Sequence, residues 1–167
     1  SEANKEWKIK NLKKRDTLGG INFDSVIVSD FEEGLKSVFT SLLYTDVSPQ
    51  RVHYITLNQW FDESFLKEES LQPLYFPSIN KENYDEFINN YKQTYNEYPN
   101  QLSFLSYDLI GLVYYLLYQN NFKVNEKIFY NKNQFKGKVG IFEINKNRIN
   151  HVLNFYKVEN NKFKKIF

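Results

Sequence analysis

The sequence predicts an α/β fold, and three observations lead to that class. A β-branched stretch at 23–28 has the composition of a strand. An amphipathic helical pattern follows at 33–44, and a second strand pattern lies at 52–57. A strand, a helix and a strand within roughly 35 residues form a βαβ unit, whose strands are parallel and whose crossover is right-handed. The predicted architecture is therefore one of parallel sheets with flanking helices.

The first strand and its helix are predicted from the placement of apolar side chains. Val26, Ile27 and Val28 are consecutive and β-branched, which predicts a buried strand. In the helix, apolar residues recur at i, i+3, i+4, i+7 and i+8 and share one face: Leu35, Val38, Phe39, Leu42 and Leu43. A turn at 46–49 then leads into the second strand.

The other elements follow from the same patterns. A polar helix is predicted at 2–15, a short helix near 64–68, a third strand at 74–76 that ends at Pro77, and a helical turn within 124–130. Two long helices lie on either side of Pro99, and the tail carries strands at 139–144, 152–158 and 163–167.

The second long helix is expected to be the most buried element. Its apolar residues cover more than one face of the helix. They are Leu102, Leu105, Leu109, Leu112, Val113, Leu116 and Leu117.

Composition excludes several classes of function. Lys and Arg number 22 against 20 Asp and Glu, a net charge of +2, so the concentrated basic surface of a nucleic-acid-binding protein is not expected. The absence of Cys excludes disulfides, thiolate metal sites and Cys nucleophiles. The longest apolar run, from Leu109 to Tyr118, is too short to cross a bilayer, so no membrane span is expected in this chain.

The sequence contains no pattern of residues that indicates an enzyme. His53 and His151 lie far apart, and neither has a Glu or a second His at metal-ligand spacing. Nucleophile-elbow, P-loop and dinucleotide-binding motifs are all missing from the sequence. We therefore expect no catalysis, no metal and no cofactor.

Two segments carry a stronger structural signal. Asp108 lies early in the most apolar helix, where a buried carboxylate requires a partner, and a structural pairing is the favoured interpretation. Gly137 and Gly140 precede an apolar strand, which indicates a turn that needs either positive φ or a close approach of other atoms.

Five segments, in order, resemble the second half of the type I periplasmic binding proteins, the leucine-binding family. They are Thr56–Trp60, Leu71–Phe76, the helix with Phe87, Tyr91, Tyr95 and Pro99, the helix start Ser106–Leu109, and the run with Phe135, Gly137, Gly140 and Phe142. The Trp60 and Phe135 segments look closest to the penicillin-binding protein activators of this superfamily. The resemblance extends from about Phe23 to the end of the chain and lacks the family's N-terminal lobe.

The resemblance implies an incomplete two-lobed architecture. Residues 1–22 form a helical segment, 23–76 a βαβ part of lobe two, 77–147 a helical part of lobe one, and 148–167 strands that return to lobe two. It implies a periplasmic ligand-binding domain, a transport receptor that delivers amino acids or similar solutes to an ABC permease. The alternative is an activator-like outer-membrane lipoprotein, anchored through an N-terminal region, that contacts a cell-wall synthase.

Four residues are candidate ligand contacts. Asp30 and Phe31 follow the first predicted parallel strand, and Asn58 and Trp60 follow the second. Ligands of open α/β sheets bind outside the carboxyl ends of the strands, so these side chains are expected to line the cleft. Trp60 has an alternative role as an aromatic residue that stabilises a lobe.

Overall fold

The computed structural model describes residues 2–15, 20–57, 60–130, 133–138, 140–145 and 148–167. The helices are α1 (Glu2–Arg15), α2 (Glu32–Leu43), α3 (Lys81–Tyr95) and α4 (Gln101–Gln119). The strands are β1 (Ser25–Val28), β2 (His53–Thr56), β3 (Leu74–Ser78), β4 (Asn133–Lys136), β5 (Ile141–Asn145), β6 (Arg148–Val152), β7 (Asn154–Glu159) and β8 (Lys162–Lys165). Short 3-10 helices cover Glu63–Lys67, Glu69–Leu71 and Glu126–Phe129.

The strands form two sheets. The larger has the order β1-β2-β3-β7-β8, and the smaller has the order β4-β5-β6. β1 and β2 are parallel, with Ser25 opposite His53 and Val28 opposite Thr56, and β2 and β3 are also parallel. The smaller sheet is antiparallel throughout. The predicted α/β class and the predicted βαβ unit are both confirmed.

The chain divides into two compact units. Unit 1 comprises Ser1–Leu57, Glu63–Tyr75 and Val158–Lys162, and unit 2 comprises Asn58–Asp62, Phe76–Lys157 and Phe163–Phe167. Strands β3, β7 and β8 contribute residues to both units. The lobe boundaries at 76/77 and 147/148, which rest on the family resemblance, stay a prediction.

The core of unit 1 forms where α2 meets β2. Leu35 and Phe39, two residues of the predicted apolar stripe, are fully buried. The ring of Phe39 stacks on that of Tyr54 with 4.4 Å between centroids. The Tyr54 hydroxyl donates a hydrogen bond to the carbonyl of Val47, and burial raises the pKa of this hydroxyl. The amphipathic pattern of α2 therefore selects the face that the structure buries.

Strand β1 is less buried than its sequence predicted. Ile27 is 62% exposed, and Val26 and Val28 are only half-buried. β1 stands at one end of the strand order and has β2 as its only neighbour among the described strands. A run of β-branched residues identifies a strand, but it does not show whether a second strand covers its outer edge.

Strand β3 runs through Pro77, at which it was predicted to end. Its register with β2 extends over Leu74 and Tyr75, so Pro77 lies beyond that pairing and its missing N–H costs no bond there. Before the strand, the buried Gln72 side chain donates to the carbonyl of Phe65 at 3.1 Å and accepts from the N–H of Asn161 at 3.1 Å.

Unit 2 is built on packed aromatic rings. The ring of Phe61 lies 5.4 Å from that of Phe76, 4.9 Å from those of Tyr84 and Tyr156, and 5.2 Å from that of Phe163. All of these pairs are edge-to-face, the arrangement that aromatic quadrupoles favour. The high aromatic content of the sequence therefore supplies a core.

The start and end of helix α3 are set by short-range signals in its sequence. The side chain of Asn80 accepts a hydrogen bond from the N–H of Asn83 and caps the first turn. Asn96 ends the helix in the left-handed conformation, with φ of 55°, ahead of Pro99. The limit that Pro99 predicted for this helix is therefore confirmed.

Helix α4 is buried on one face only, so the expectation that it is the most buried element is wrong. The buried residues follow i, i+4 spacing: Phe104, Asp108, Leu112 and Leu116. In contrast, Leu105 and Leu109 are 48% and 51% exposed. The residues that the structure describes cover a single side of this helix, and apolar content alone could not reveal that.

The tail contains more strands than predicted. The expected strand at 152–158 covers the last residue of β6 and most of β7, whereas β4 and the rest of β6 were missed. β4 and β6 are rich in polar residues, including Asn133, Gln134, Arg148 and Asn150, so neither shows an apolar alternation. Val139, in the predicted strand at 139–144, lies outside the described residues.

Candidate ligand-binding site

The loop after β1 carries an exposed carboxylate next to the start of α2. Oδ1 of Asp30 accepts a hydrogen bond from the N–H of Phe31 at 2.8 Å. A Cβ at Gly34 would come within 2.8 Å of both Asp30 carboxylate oxygens, so glycine is what allows the carboxylate this close to the helix. The position of Asp30 is thus set by the first turn of α2.

The surroundings of Asp30 are acidic. Glu32 and Glu33 occupy the first turn of α2, where the helix dipole favours negative charge. Lys36 lies 3.3 Å from Glu33 and 3.7 Å from Glu68, so its charge is shared between these two carboxylates. Electrostatics therefore favour a ligand with a cationic group, such as an ammonium, over an anion at this position.

Phe31 and Glu32 form an unusual corner between β1 and α2. The Phe31 side chain is 52% exposed, and Glu32 has a φ of 48° in the left-handed region. A non-glycine residue in that region stores strain of about 1–3 kcal/mol, and such strain is concentrated at binding and catalytic sites. The corner presents an aromatic ring to solvent beside the Asp30 carboxylate.

The other two candidate residues are Asn58 and Trp60. Asn58 lies outside the described residues. Trp60 belongs to unit 2, whereas Asp30 and Phe31 belong to unit 1. The Trp60 ring makes edge-to-face contacts with Tyr84 at 5.1 Å and Phe104 at 5.0 Å. These contacts fit the stabilising role that was the alternative for Trp60, and its role in ligand binding stays a prediction.

Unit 2 contains an open groove between α3 and α4 that sequence reasoning did not identify. Its volume is about 590 Å³. The lining residues carry aromatic rings, neutral amides and hydroxyls: Phe87, Asn90, Tyr91, Thr94, Tyr95, Asn100, Ser103, Ser106, Tyr107, Ile110 and Lys138. Lys138 pairs with Glu86 at 2.6 Å, and the hydrogen bond to Glu86 raises the pKa of this lysine. In the sequence, the tyrosines at helical spacing in α3 were the feature that could have indicated this groove.

The two segments singled out in the sequence meet in unit 2. Oδ1 of Asp108 accepts from the N–H of Lys138 at 2.9 Å, and Oδ2 accepts from the N–H of Gly140 at 3.1 Å. A Cβ at Gly137 would overlap the Asp108 carboxylate. The expectation that Asp108 has a structural partner is confirmed, and close approach, rather than positive φ, explains Gly137.

His151 packs against this turn. Its ring stacks on Phe142 with 4.3 Å between centroids, and its Nε2 faces Gly140 so closely that a Cβ there would overlap it. Burial lowers the pKa of His151, while the nearby Asp108 acts in the opposite direction. Burial therefore favours the neutral form of this imidazole.

The described ranges carry neither a cluster of metal ligands nor a membrane-spanning helix. Within them, His, Asp and Glu form no group of three or more that could hold a metal ion. None of the helices in those ranges combines the length and hydropathy that a membrane crossing requires.

No protein-family model and no curated protein sequence matches the chain. Among solved structures, the extracellular ligand binding receptor from Desulfohalobium retbaense DSM5692 is similar, with a TM-score of 0.61 and 15% identity over 85% of this chain. The match covers 26% of that receptor, so this chain spans about a quarter of its length. The similarity shows that this chain shares a fold with that receptor, in agreement with the α/β class predicted from sequence.

Proposed function

We propose that this chain is part of an extracytoplasmic receptor that binds an amino acid or a similar small solute. The observation that carries the proposal is the fold shared with an extracellular ligand binding receptor. Its candidate contacts, Asp30 and Phe31, follow the carboxyl end of a parallel strand, the edge at which open α/β sheets bind ligands. In this proposal the receptor closes by hinge motion and presents its ligand to an ABC permease.

The chemistry around Asp30 supports an amino acid as the ligand class. The Asp30 carboxylate, with Glu32 and Glu33 nearby in sequence, suits an ammonium group. The exposed ring of Phe31 offers an apolar surface to a side chain or methylene chain. Asn58 and Trp60, which follow the second predicted strand in sequence, stay predicted contacts. The chain binds and releases its ligand without altering it, and it acts in the periplasm.

The experiment compares matched residues at the two ends of β1. Asp30→Asn and Phe31→Ala change the carboxyl end, while Asp24→Asn and Phe23→Ala change the same residue types at the amino end. All four residues are exposed, and Phe31 and Phe23 are 52% and 48% exposed, so folding should be preserved. The protein expressed from its own gene is titrated calorimetrically with a panel of amino acids.

We expect Asp30→Asn to weaken binding about ten-fold or more, because a charge-assisted hydrogen bond contributes about 1.5–3 kcal/mol. Phe31→Ala should weaken it less, and the two controls should bind as the unchanged protein does. Equal affinities for Asp30→Asn and Asp24→Asn would contradict the proposed site. No binding of any amino acid by the unchanged protein would contradict the ligand class.

The alternative function is that of an activator-like lipoprotein that contacts a cell-wall synthase. The observation that favours it is the exposed apolar side of α4, since a regulator of this kind needs a contact surface outside the cleft. A purified synthase that binds the Asp30→Asn variant normally, and fails to bind an Ile110→Glu variant, would support the activator. Amino acid binding that depends on Asp30 would support the receptor.

A further inference from the structure

The groove between α3 and α4 has a row of aromatic rings along one wall. Phe87, Tyr91 and Tyr95 recur at every fourth residue of α3, so the row is about 12 Å long. The ring centroids of Phe87 and Tyr91 lie 6.1 Å apart, and those of Tyr91 and Tyr95 lie 4.6 Å apart. Tyr107 of α4 adds a fourth ring, whose centroid lies 5.6 Å from that of Phe87. The row begins at the buried Phe87 and ends at Tyr95, which is 62% exposed, so ring surface is open to a ligand at this end.

The polar side chains that line the groove with these rings are mostly neutral. Amides come from Asn90 and Asn100, and hydroxyls come from Thr94, Ser103 and Ser106. The Thr94 hydroxyl donates to the carbonyl of Asn90 at 2.9 Å, so this oxygen is left to act as an acceptor. Amides and hydroxyls each both donate and accept hydrogen bonds, and they therefore suit a ligand whose own groups do both.

Charge in the groove is already balanced. Among the described residues that line it, Lys138 is the only charged one. Its ammonium lies 2.6 Å from a carboxylate oxygen of Glu86, which neutralises the charge. A carboxylate, phosphate or ammonium ligand would lose hydrating water here without gaining an opposite charge that is not already paired. The lining therefore favours a ligand without charge.

We propose that this groove binds a neutral oligosaccharide. A sugar ring combines an apolar C–H face, which packs on aromatic rings, with hydroxyls that both donate and accept hydrogen bonds. The groove volume of about 590 Å³ lies within the range of small-molecule sites. The groove belongs wholly to unit 2, whereas Asp30 and Phe31 belong to unit 1, so it is a second site that does not depend on amino acid binding.

The test uses tyrosines that are matched in exposure and in helical position. Tyr95→Ala removes the exposed end of the aromatic row, and Tyr95→Phe keeps the ring but removes its hydroxyl. Tyr118→Ala is the control, because Tyr118 lies in the last turn of α4, as Tyr95 does in α3, is 64% exposed and lies outside the groove lining. Circular dichroism verifies that each variant folds.

The protein expressed from its own gene is titrated by saturation-transfer difference NMR, which detects weak ligands. The neutral probes are maltotetraose, cellotetraose and tetra-N-acetylchitotetraose. Tetragalacturonic acid, which is an oligosaccharide of similar length with a carboxylate on each ring, is the charged comparison.

We expect at least one neutral probe to bind with about millimolar affinity, the range suited to an open and solvated groove. Tyr95→Ala should weaken this binding about five-fold or more, because ring surface is lost, whereas Tyr95→Phe should retain most of it. Tyr118→Ala should bind as the unchanged protein does. Equal losses for Tyr95→Ala and Tyr118→Ala, no saturable binding of any neutral probe, or equally tight binding of tetragalacturonic acid would each overturn the proposal.

Discussion

The carboxylate of Asp108 shows how one residue joins a helix to a turn. Each of its two oxygens accepts one backbone N–H, from Lys138 and from Gly140. The turn is closed by a further hydrogen bond, in which the N–H of Gly137 donates to the carbonyl of Gly140 at 2.7 Å. Because the carboxylate is 2% exposed, these bonds are shielded from water and any unsatisfied donor would be costly.

We expect Asp108→Asn to destabilise the protein nearly as much as Asp108→Ala. An amide has one acceptor oxygen, so its NH2 group would face one of the two backbone donors. The loss should be about 2–4 kcal/mol in the free energy of unfolding, measured by urea denaturation. The control is Glu86→Gln, which removes an exposed partner of Lys138 and should cost at most about 1 kcal/mol. Similar losses for Asp108→Asn and Glu86→Gln would show that the buried carboxylate has no special role.

At the scale of elements, α4 shows that residues of the same apolar type on one helix can differ widely in burial. Leu109 and Leu112 are the same residue type, one turn apart on one helix. Leu112 is 4% exposed and packs with Leu116 and Ile144, whereas Leu109 is 51% exposed. Sequence pattern could not distinguish them, because both fit the apolar set of the helix.

Leu112→Ala should destabilise the 167-residue chain by about 2–5 kcal/mol, since it removes a core side chain and leaves a cavity. Leu109→Ala should cost roughly 0.5 kcal/mol or less, as is usual for surface substitutions. Thermal or urea unfolding of the two variants under identical conditions makes the comparison. Equal losses would mean that the Leu109 side chain is already covered in this chain.

The elements that sequence predicted well are those with a strong periodic signal. The apolar stripe of α2 and the β-branched runs of β1 and β2 predicted the order of these three elements. They also predicted that the two strands are parallel neighbours, because a strand, a helix and a strand in succession can pack in few ways. β4 and β6 were missed because their sheet is partly exposed and their residues are polar. The exposure of β1 was missed because it depends on which strand lies beyond it.

The places of Asp30 and Phe31 in the fold were predictable, but their local geometry was not. Asp30 and Phe31 could be placed at the carboxyl end of a parallel strand from the order of elements alone. The contact of Asp30 with Gly34 and the left-handed φ of Glu32 depend on the local path of the backbone, which no residue pattern predicted. The tyrosines at helical spacing in α3 hinted at the groove between α3 and α4, but its shape depends on how the two helices pack, which the sequence pattern does not give.

For the whole molecule, we expect the affinity for a small ligand to depend on how much of the ligand surface these residues can contact. Receptors that close around a ligand contact it from both lobes, and small-molecule sites bury most of the ligand surface. This chain corresponds to 26% of the matched receptor. Asp30 and Phe31 alone would offer an open, solvated contact, where hydrogen bonds to a ligand mainly replace hydrogen bonds to water.

We therefore expect the 167-residue chain to bind free amino acids at about millimolar affinity or weaker, near −4 kcal/mol. Calorimetric titration with the same panel of amino acids measures this directly. The same titration of the protein expressed from its own gene provides the comparison. Binding by the 167-residue chain tighter than about 10 μM, or about −7 kcal/mol, would mean that a complete site exists within these residues.

The two edges of the five-stranded sheet have different consequences for handling the isolated chain. At one edge, β8 carries Lys162, Lys164 and Lys165, whose charges repel an approaching strand. At the other edge, β1 presents Val26-Ile27-Val28 without a lysine or a proline. Concentrated solutions should therefore aggregate through the β1 edge, and a lysine in place of Ile27 is the simplest way to keep the chain soluble.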